Sequence, residues 1–190
     1  MTDAAPHLRL ATMADVPAIR ALIAESARAL SVGYYTPEQV ESALRHVLGV
    51  DTTLVADGTY YVAEAPDGTL AAAGGWSRRR LLYGGDQLKG AGPERPPPGD
   101  DTLLDPATEP ARIRAFFVHP TWARRGLARR LFAECRDAAR TEGFRGLTLG
   151  ATLPGVPLYE SLGFVPHETT TMRLPDGVEF PLVRMTRPIE

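Results

Sequence analysis

Between positions 113 and 131 the sequence IRAFFVHPTWARRGLARRL passes from an apolar run, through a His-Pro stop and a glycine, into a helix-period pattern. That order dictates a strand, a short turn and a helix lying back on the same sheet, because the first run suits a buried strand and the later apolar residues recur at helical spacing. Over residues 126–142 the helix carries Leu127, Ala128, Leu131, Phe132, Cys135, Ala138 and Ala139 on one side. Arg129, Arg130, Glu134, Arg136, Asp137 and Arg140 face outward.

The first turn of that helix suits an anion. Gly126 permits close approach, Ala128 leaves the space above the backbone clear, and the first N–H groups of a helix have no partner within it. Arg124 and Arg125 add two cations beside those donors, where the helix dipole already favours negative charge. A pyrophosphate fits this environment. The turn lacks the spacing of a P-loop and of a G-x-G-x-x-G dinucleotide turn. A glycine turn and an arginine pair also occur at ordinary solvated helix ends, so the turn alone leaves both readings open.

The 190 residues suffice for one domain with its own core, and 44% hydrophobic with 23% charged residues is a globular balance. Residues 8–10 read as a strand, followed by a Thr12/Asp15 capping pattern and a helix to about Leu30 with Val16, Ile19, Leu22, Ile23 and Leu30 inward. Thr36-Pro37-Glu38-Gln39 starts a second helix, striped by Val40, Ala43, Leu44, Val47 and Leu48 and ended by Gly49. Residues 60–65 and 69–77 form a hairpin about Pro66-Asp67-Gly68. Residues 84–110, with five glycines and six prolines, are expected to be a mobile insertion within the single domain of residues 1–190. A strand over 112–118, the helix of 126–142, a strand over 146–151, a short helix over 154–162 stopped by Gly163, and a hairpin of 165–173 and 178–187 complete the chain. The fold class is α/β (α+β): a mixed sheet covered by helices.

At Val118-His119-Pro120 followed by Ala123-Arg124-Arg125-Gly126-Leu127-Ala128, the chain resembles the acetyl-CoA signature of the GNAT superfamily, Q/R-x-x-G-x-G/A. Leu158-Tyr159-Glu160-Ser161-Leu162-Gly163-Phe164 resembles the superfamily's second signature, a tyrosine late in a short helix before L-G-F. Ala123 departs from the pattern, standing where Gln or Arg is usual, so a side-chain contact is lost there while backbone contacts remain. The resemblance implies a mostly antiparallel sheet of about seven strands, helices on both faces, and two central parallel strands splayed around the pantetheine arm of acetyl-CoA. It implies an N-acetyltransferase in which an unidentified primary amine attacks the thioester directly.

By the same resemblance, backbone groups of Phe117 and Val118 hold the pantetheine and thioester carbonyl. Arg124, Arg125, Gly126, Leu127, Ala128 and Arg129 surround the pyrophosphate, and Tyr159 is the general acid for the departing thiolate. Glu109 is a candidate base, and Tyr34, Tyr35, Trp76 and Ser77 are candidates for the acceptor side. Each also has a structural reading: a loop charge for Glu109, core packing for Trp76, a strand-edge hydroxyl for Ser77. The run Arg78-Arg79-Arg80 reads either as an anion site or as a solvated face.

A net charge of −2 gives no global attraction to nucleic acid or anionic lipid, and no segment approaches the ~20 apolar residues of a membrane span. A cytoplasmic protein is expected, with no membrane or nucleic-acid partner and, by the resemblance, possible homodimerisation through a sheet edge. Cys135 is a lone cysteine, and His7, His46, His119 and His167 show no metal-ligand spacing with it, so no metal is expected. Two other functions compete: a non-catalytic acyl-CoA-binding or sensing module, and a nucleic-acid-binding domain using Arg78–Arg80 and Arg124–Arg130.

Overall fold

The computed structural model describes residues 5–82, 85–89 and 102–190. The order of elements is β1 (His7–Leu10), α1 (Val16–Leu30), α2 (Pro37–His46), α3 (Thr52–Ala56), β2 (Tyr60–Glu64), β3 (Leu70–Ser77), β4 (Ala111–Val118), α4 (Leu127–Thr141), β5 (Gly146–Thr152), α5 (Val156–Ser161), β6 (Val165–Arg173) and β7 (Glu179–Pro188). The described residues form one seven-stranded sheet in the order β1-β2-β3-β4-β5-β7-β6. Every neighbouring pair is antiparallel except β4 and β5. The mixed sheet expected from the sequence is therefore present.

Local chemistry sets the helix starts. Thr36 accepts the N–H of Gln39 (3.2 Å) while the Gln39 side chain accepts the N–H of Thr36 (3.0 Å), a reciprocal cap ahead of Pro37. In α1, Ile19, Leu22, Ser26, Ile23 and Ala27 are the buried residues. Leu30 is 37% exposed, against expectation, because the helix ends there and Ala27 takes the last inward position.

Alternation along the strands divides the core. Tyr60 and Val62 of β2 pack with Ile19, Leu22 and Ile23 of α1, whereas Tyr61 and Ala63 turn to the opposite face, with Leu127 and Leu131 of α4. Phe132, Cys135 and Ala139 of α4 join Trp76, Ile113, Leu147 and Leu149 in the largest cluster. Burying Leu131 and Phe132 contributes roughly 1.5–3 kcal/mol each, and an acid at Leu131 would undock the helix. α2 covers β7 through Val40, Ala43 and Val47 against Phe180 and Leu182. Helices thus lie on both faces.

Of the insertion expected over residues 84–110, positions 84 and 90–101 lie outside the described residues. Residues 102–110 are fastened to the sheet: the Leu104 N–H donates to Arg78 O (2.8 Å), the Arg80 N–H donates to Thr102 O (2.9 Å), and Leu104 is buried beside Trp76.

Candidate active site

β4 and β5 pair only at Ala111 with Leu147 and Arg112 with Thr148, then diverge. The divergence begins where β4 bulges: its register against β3 shifts between Ala73 and Gly75, and Ala115 takes a φ of +53°. Arg114 and Ala115 consequently face the α1 side in succession, and Phe116 turns to the α4 side, its ring lying over Gly74, where a Cβ would sit 2.7 Å from it. An open cleft passes between the strands. Phe116, Val118, Ala128, Leu158 and Tyr159 line its α4/α5 side; Arg114, Ala115, Phe117, Val47, Leu48, Phe180 and Leu182 line the other.

At one mouth stands the start of α4. Arg124 and Gly126 both adopt positive φ (+65° and +80°), which turns the chain sharply from β4 into the helix. The first intrahelical bond there runs from the Arg130 N–H to Gly126 O (3.1 Å), leaving the N–H groups of Leu127, Ala128 and Arg129 without partners among the described residues. A Cβ on Gly126 would meet nothing within 4 Å, so the approach to those donors is open. This turn is the one at which the sequence leads one to expect an anion. The side chains divide: Leu127 is buried in the core, the Arg125 guanidinium lies 4.9 Å over the Trp122 ring, and Arg129 Nη2 turns to Ser161 Oγ (2.9 Å).

Tyr159 reaches the cleft from α5, its ring set edge-on to Phe164 (5.6 Å) and Phe116 (6.4 Å). No hydrogen bond to its hydroxyl occurs among the described residues. Burial pushes the phenol well above its ordinary value, so the group keeps its proton at any physiological pH.

The other candidates are not brought to the cleft. Glu109 caps the loop before β4, pairing with Arg80 and accepting the Asp105 N–H (3.0 Å); that backbone bond and then Arg80 hold its carboxyl below the usual range. It is thus a loop charge, poorly suited to take a proton. Trp76 is 1% exposed in the core, edge-on to Phe144, and Ser77 is buried with its Oγ accepting the Arg79 N–H (3.0 Å). Tyr35 stacks on Phe180 (4.4 Å), donates to Pro181 O (2.6 Å) and accepts the Leu153 N–H (2.8 Å), so its hydroxyl is consumed in tying the α1–α2 connection to the far strands. Tyr34 is half exposed and outside the cleft lining. The arginine run is likewise absorbed, with Arg78 on Glu142 (2.9 Å), Arg79 on Asp57 (2.7 Å) and Arg80 on Glu109. Cys135 is buried with its thiol pushed far up by desolvation, and no group of metal-ligating side chains occurs among the described residues.

Three residues that the sequence reading passed over stand beside the bulge. Arg114 forms an ion pair with Asp51 (2.9 Å), the two side chains only 5% and 1% exposed. The Tyr60 hydroxyl donates to Ala115 O (3.0 Å). Only Arg114, a charge inside the apolar run IRAFFV, left a sign in the sequence.

Residues 105–186 match the family model described as an acetyltransferase (GNAT) domain. No curated protein sequence matches the chain. Among solved structures, a GCN5-related N-acetyltransferase from Rhodopseudomonas palustris is 19% identical with a TM-score of 0.68, covering 99% of this chain and 98% of its own. A GCN5-related N-acetyltransferase from Kribbella flavida is 26% identical with a TM-score of 0.54, covering 96% of each chain. The yncA protein of Salmonella typhimurium, solved with its cofactor acetyl-CoA, is 16% identical with a TM-score of 0.60, covering 98% of this chain and 95% of its own.

Proposed function

We propose that this chain is an acetyltransferase of the GNAT superfamily, which transfers an acetyl group from acetyl-CoA to a primary amine. The observation that carries the proposal is the continuity of one cleft, which runs from Ala128 in the first turn of α4 to the bulge of β4 and to Tyr159.

The residues present fit acetyl-CoA. The N–H groups of Leu127, Ala128 and Arg129, with Arg124 and Arg125 alongside, would hold the diphosphate. The edge of β4 beyond Arg112 has no partner strand toward β5, so backbone groups about Phe117 and Val118 are available to a pantetheine arm and to a thioester oxygen. Acetyl-CoA supplies an activated acetyl group, and in the transfer a C–N bond forms from the acceptor nitrogen as the C–S bond breaks. Tyr159 gives its proton to the departing sulfur and regains one from water; the acceptor nitrogen loses its extra proton to water. A phenol held protonated by burial suits the first of these transfers. The acceptor enters from the side opposite α4, between Val47, Leu48, Phe180 and Leu182, since the diphosphate end occupies the α4 side.

The test is acetyl-CoA with a panel of amines spanning polyamines, amino acids, aminoglycosides and peptides, read as free thiol, with the Tyr159→Phe variant in parallel. Turnover of one class, reduced in the variant, supports the proposal. Tight CoA binding with no turnover of any amine would leave a binding module in its place.

A further inference from the structure

The β4 bulge is strained and yet surrounded by an unusual set of buried polar contacts. Ala115, which is not glycine, sits at φ +53°, a conformation that persists only where the surroundings impose it. Two contacts do so from behind the cleft. The Tyr60 phenol, itself fully buried, donates to the carbonyl of Ala115 (3.0 Å). The Arg114 guanidinium is drawn in the same direction by Asp51 (2.9 Å) and also donates to Leu81 O (3.3 Å). Asp51 is fixed in turn, accepting the Thr53 N–H (3.1 Å) at the start of α3.

Two glycines make room for this arrangement. A Cβ on Gly75 would lie 2.6 Å from the Tyr60 ring and 2.7 Å from Thr59 O, and one on Gly74 would lie 2.7 Å from the Phe116 ring. Either methyl would displace a ring that flanks the bulge. The bulge also marks where β4 leaves β5, so its conformation decides which backbone groups of Phe117 and Val118 face the cleft.

We infer that Tyr60 and the Asp51–Arg114 pair are positioning residues, which hold the bulge at Ala115 so that the backbone of Phe117 and Val118 is aimed at the thioester carbonyl. The inference rests on the acetyl-transfer reading for its purpose, but the holding itself can be measured without it. Neither Tyr60 nor Asp51 lines the cleft; their effect passes through Ala115 and Arg114.

The experiment compares wild type with Tyr60→Phe, which removes one hydroxyl and keeps the ring. Hydrogen exchange of the amides of residues 113–118 is measured on the ligand-free proteins, and the bound carbonyl of [1-13C]acetyl-CoA is followed by NMR. Expected are at least tenfold faster exchange across the bulge and a carbonyl resonance displaced toward that of free acetyl-CoA. Acetyl-CoA affinity stays within about threefold, because the diphosphate grip at α4 is untouched. With an acceptor in hand, kcat falls at least tenfold while KM for acetyl-CoA holds. Wild-type exchange and an unmoved carbonyl resonance, with only the melting temperature lowered, would overturn the inference. If Tyr60→Phe does not fold, Asp51→Asn combined with Arg114→Gln, which removes both charges, is held to the same two readouts. Failure of wild-type protein to take up acetyl-CoA would sink the acetyl-transfer reading and with it the positioning role, whatever the exchange data say of the bulge.

Discussion

In a Gly126→Ala variant the added methyl meets no atom within 4 Å, so any effect comes from the backbone, which stands at φ +80°. Holding an L-residue in that region costs roughly 1–2 kcal/mol. The free protein can relieve that cost by letting the turn relax. Binding then has to restore the turn, because the N–H groups of Leu127, Ala128 and Arg129 converge only while Gly126 keeps its conformation. The whole strain then appears as lost affinity: at 1.4 kcal/mol per decade, CoA binds about 5- to 30-fold more weakly. Gly177→Ala is the control. Its φ of +85° and open surroundings match those of Gly126, but it lies in the turn between β6 and β7, away from the cleft. Gly126→Ala is expected to lose affinity in calorimetric titration with CoA, and Gly177→Ala to keep the wild-type affinity. Equal CoA affinity in the two variants would refute the reasoning, because the α4 turn would then not need its left-handed residue to bind the ligand.

Tyr159→Phe keeps the contacts with Phe116 and Phe164 and is expected to lower kcat by roughly 10²–10⁴-fold, with CoA affinity within a factor of three; unchanged kcat would remove the residue from the chemistry. Glu109→Gln is expected to leave the rate within twofold, as its carboxylate pairs with Arg80 at the far end of β4; a loss of tenfold or more would return it to the candidates for base. Burial raises the phenols of Tyr35 (to about 12), Tyr60 and Tyr159, so the fold favours their protonated forms. The stability this supplies is complete below the unfolded phenol value of about 10 and is lost as pH rises toward the folded values. Urea midpoints are therefore expected to fall between pH 9 and pH 11; a constant midpoint would contradict that burial.

The strand, turn and helix around Gly126 were legible because each step changes the hydrophobic period or inserts a breaker, and such signals are local. So were the cap at Thr36 and the tyrosine ahead of Leu162-Gly163-Phe164. Position within the sheet was harder, since β7 pairs between β5 and β6 and no local pattern records that insertion. Trp76 and Ser77 were drawn toward the acceptor side because they end a strand beside β4, but strand alternation sends Trp76 into the α4 core. Tyr35 was read from its place in the connecting loop, and its two backbone partners lie at Leu153 and Pro181, far along the chain. The pairing of Asp51 with Arg114 is of the same kind: a loop acid and a strand base meet only once β2 and β3 have been laid down between them. The short helix α3, capped by Asp51, was missed because Thr52–Ala56 is too brief to show a period.

The central claim is that the amides at the start of α4 grip the diphosphate of coenzyme A, and backbone NMR tests it most directly. Titration of labelled protein with CoA is predicted to shift and saturate the N–H resonances of Leu127, Ala128 and Arg129, while pantetheine, which lacks the diphosphate, leaves them in place. Saturable CoA binding that leaves those three amides unmoved would contradict the account.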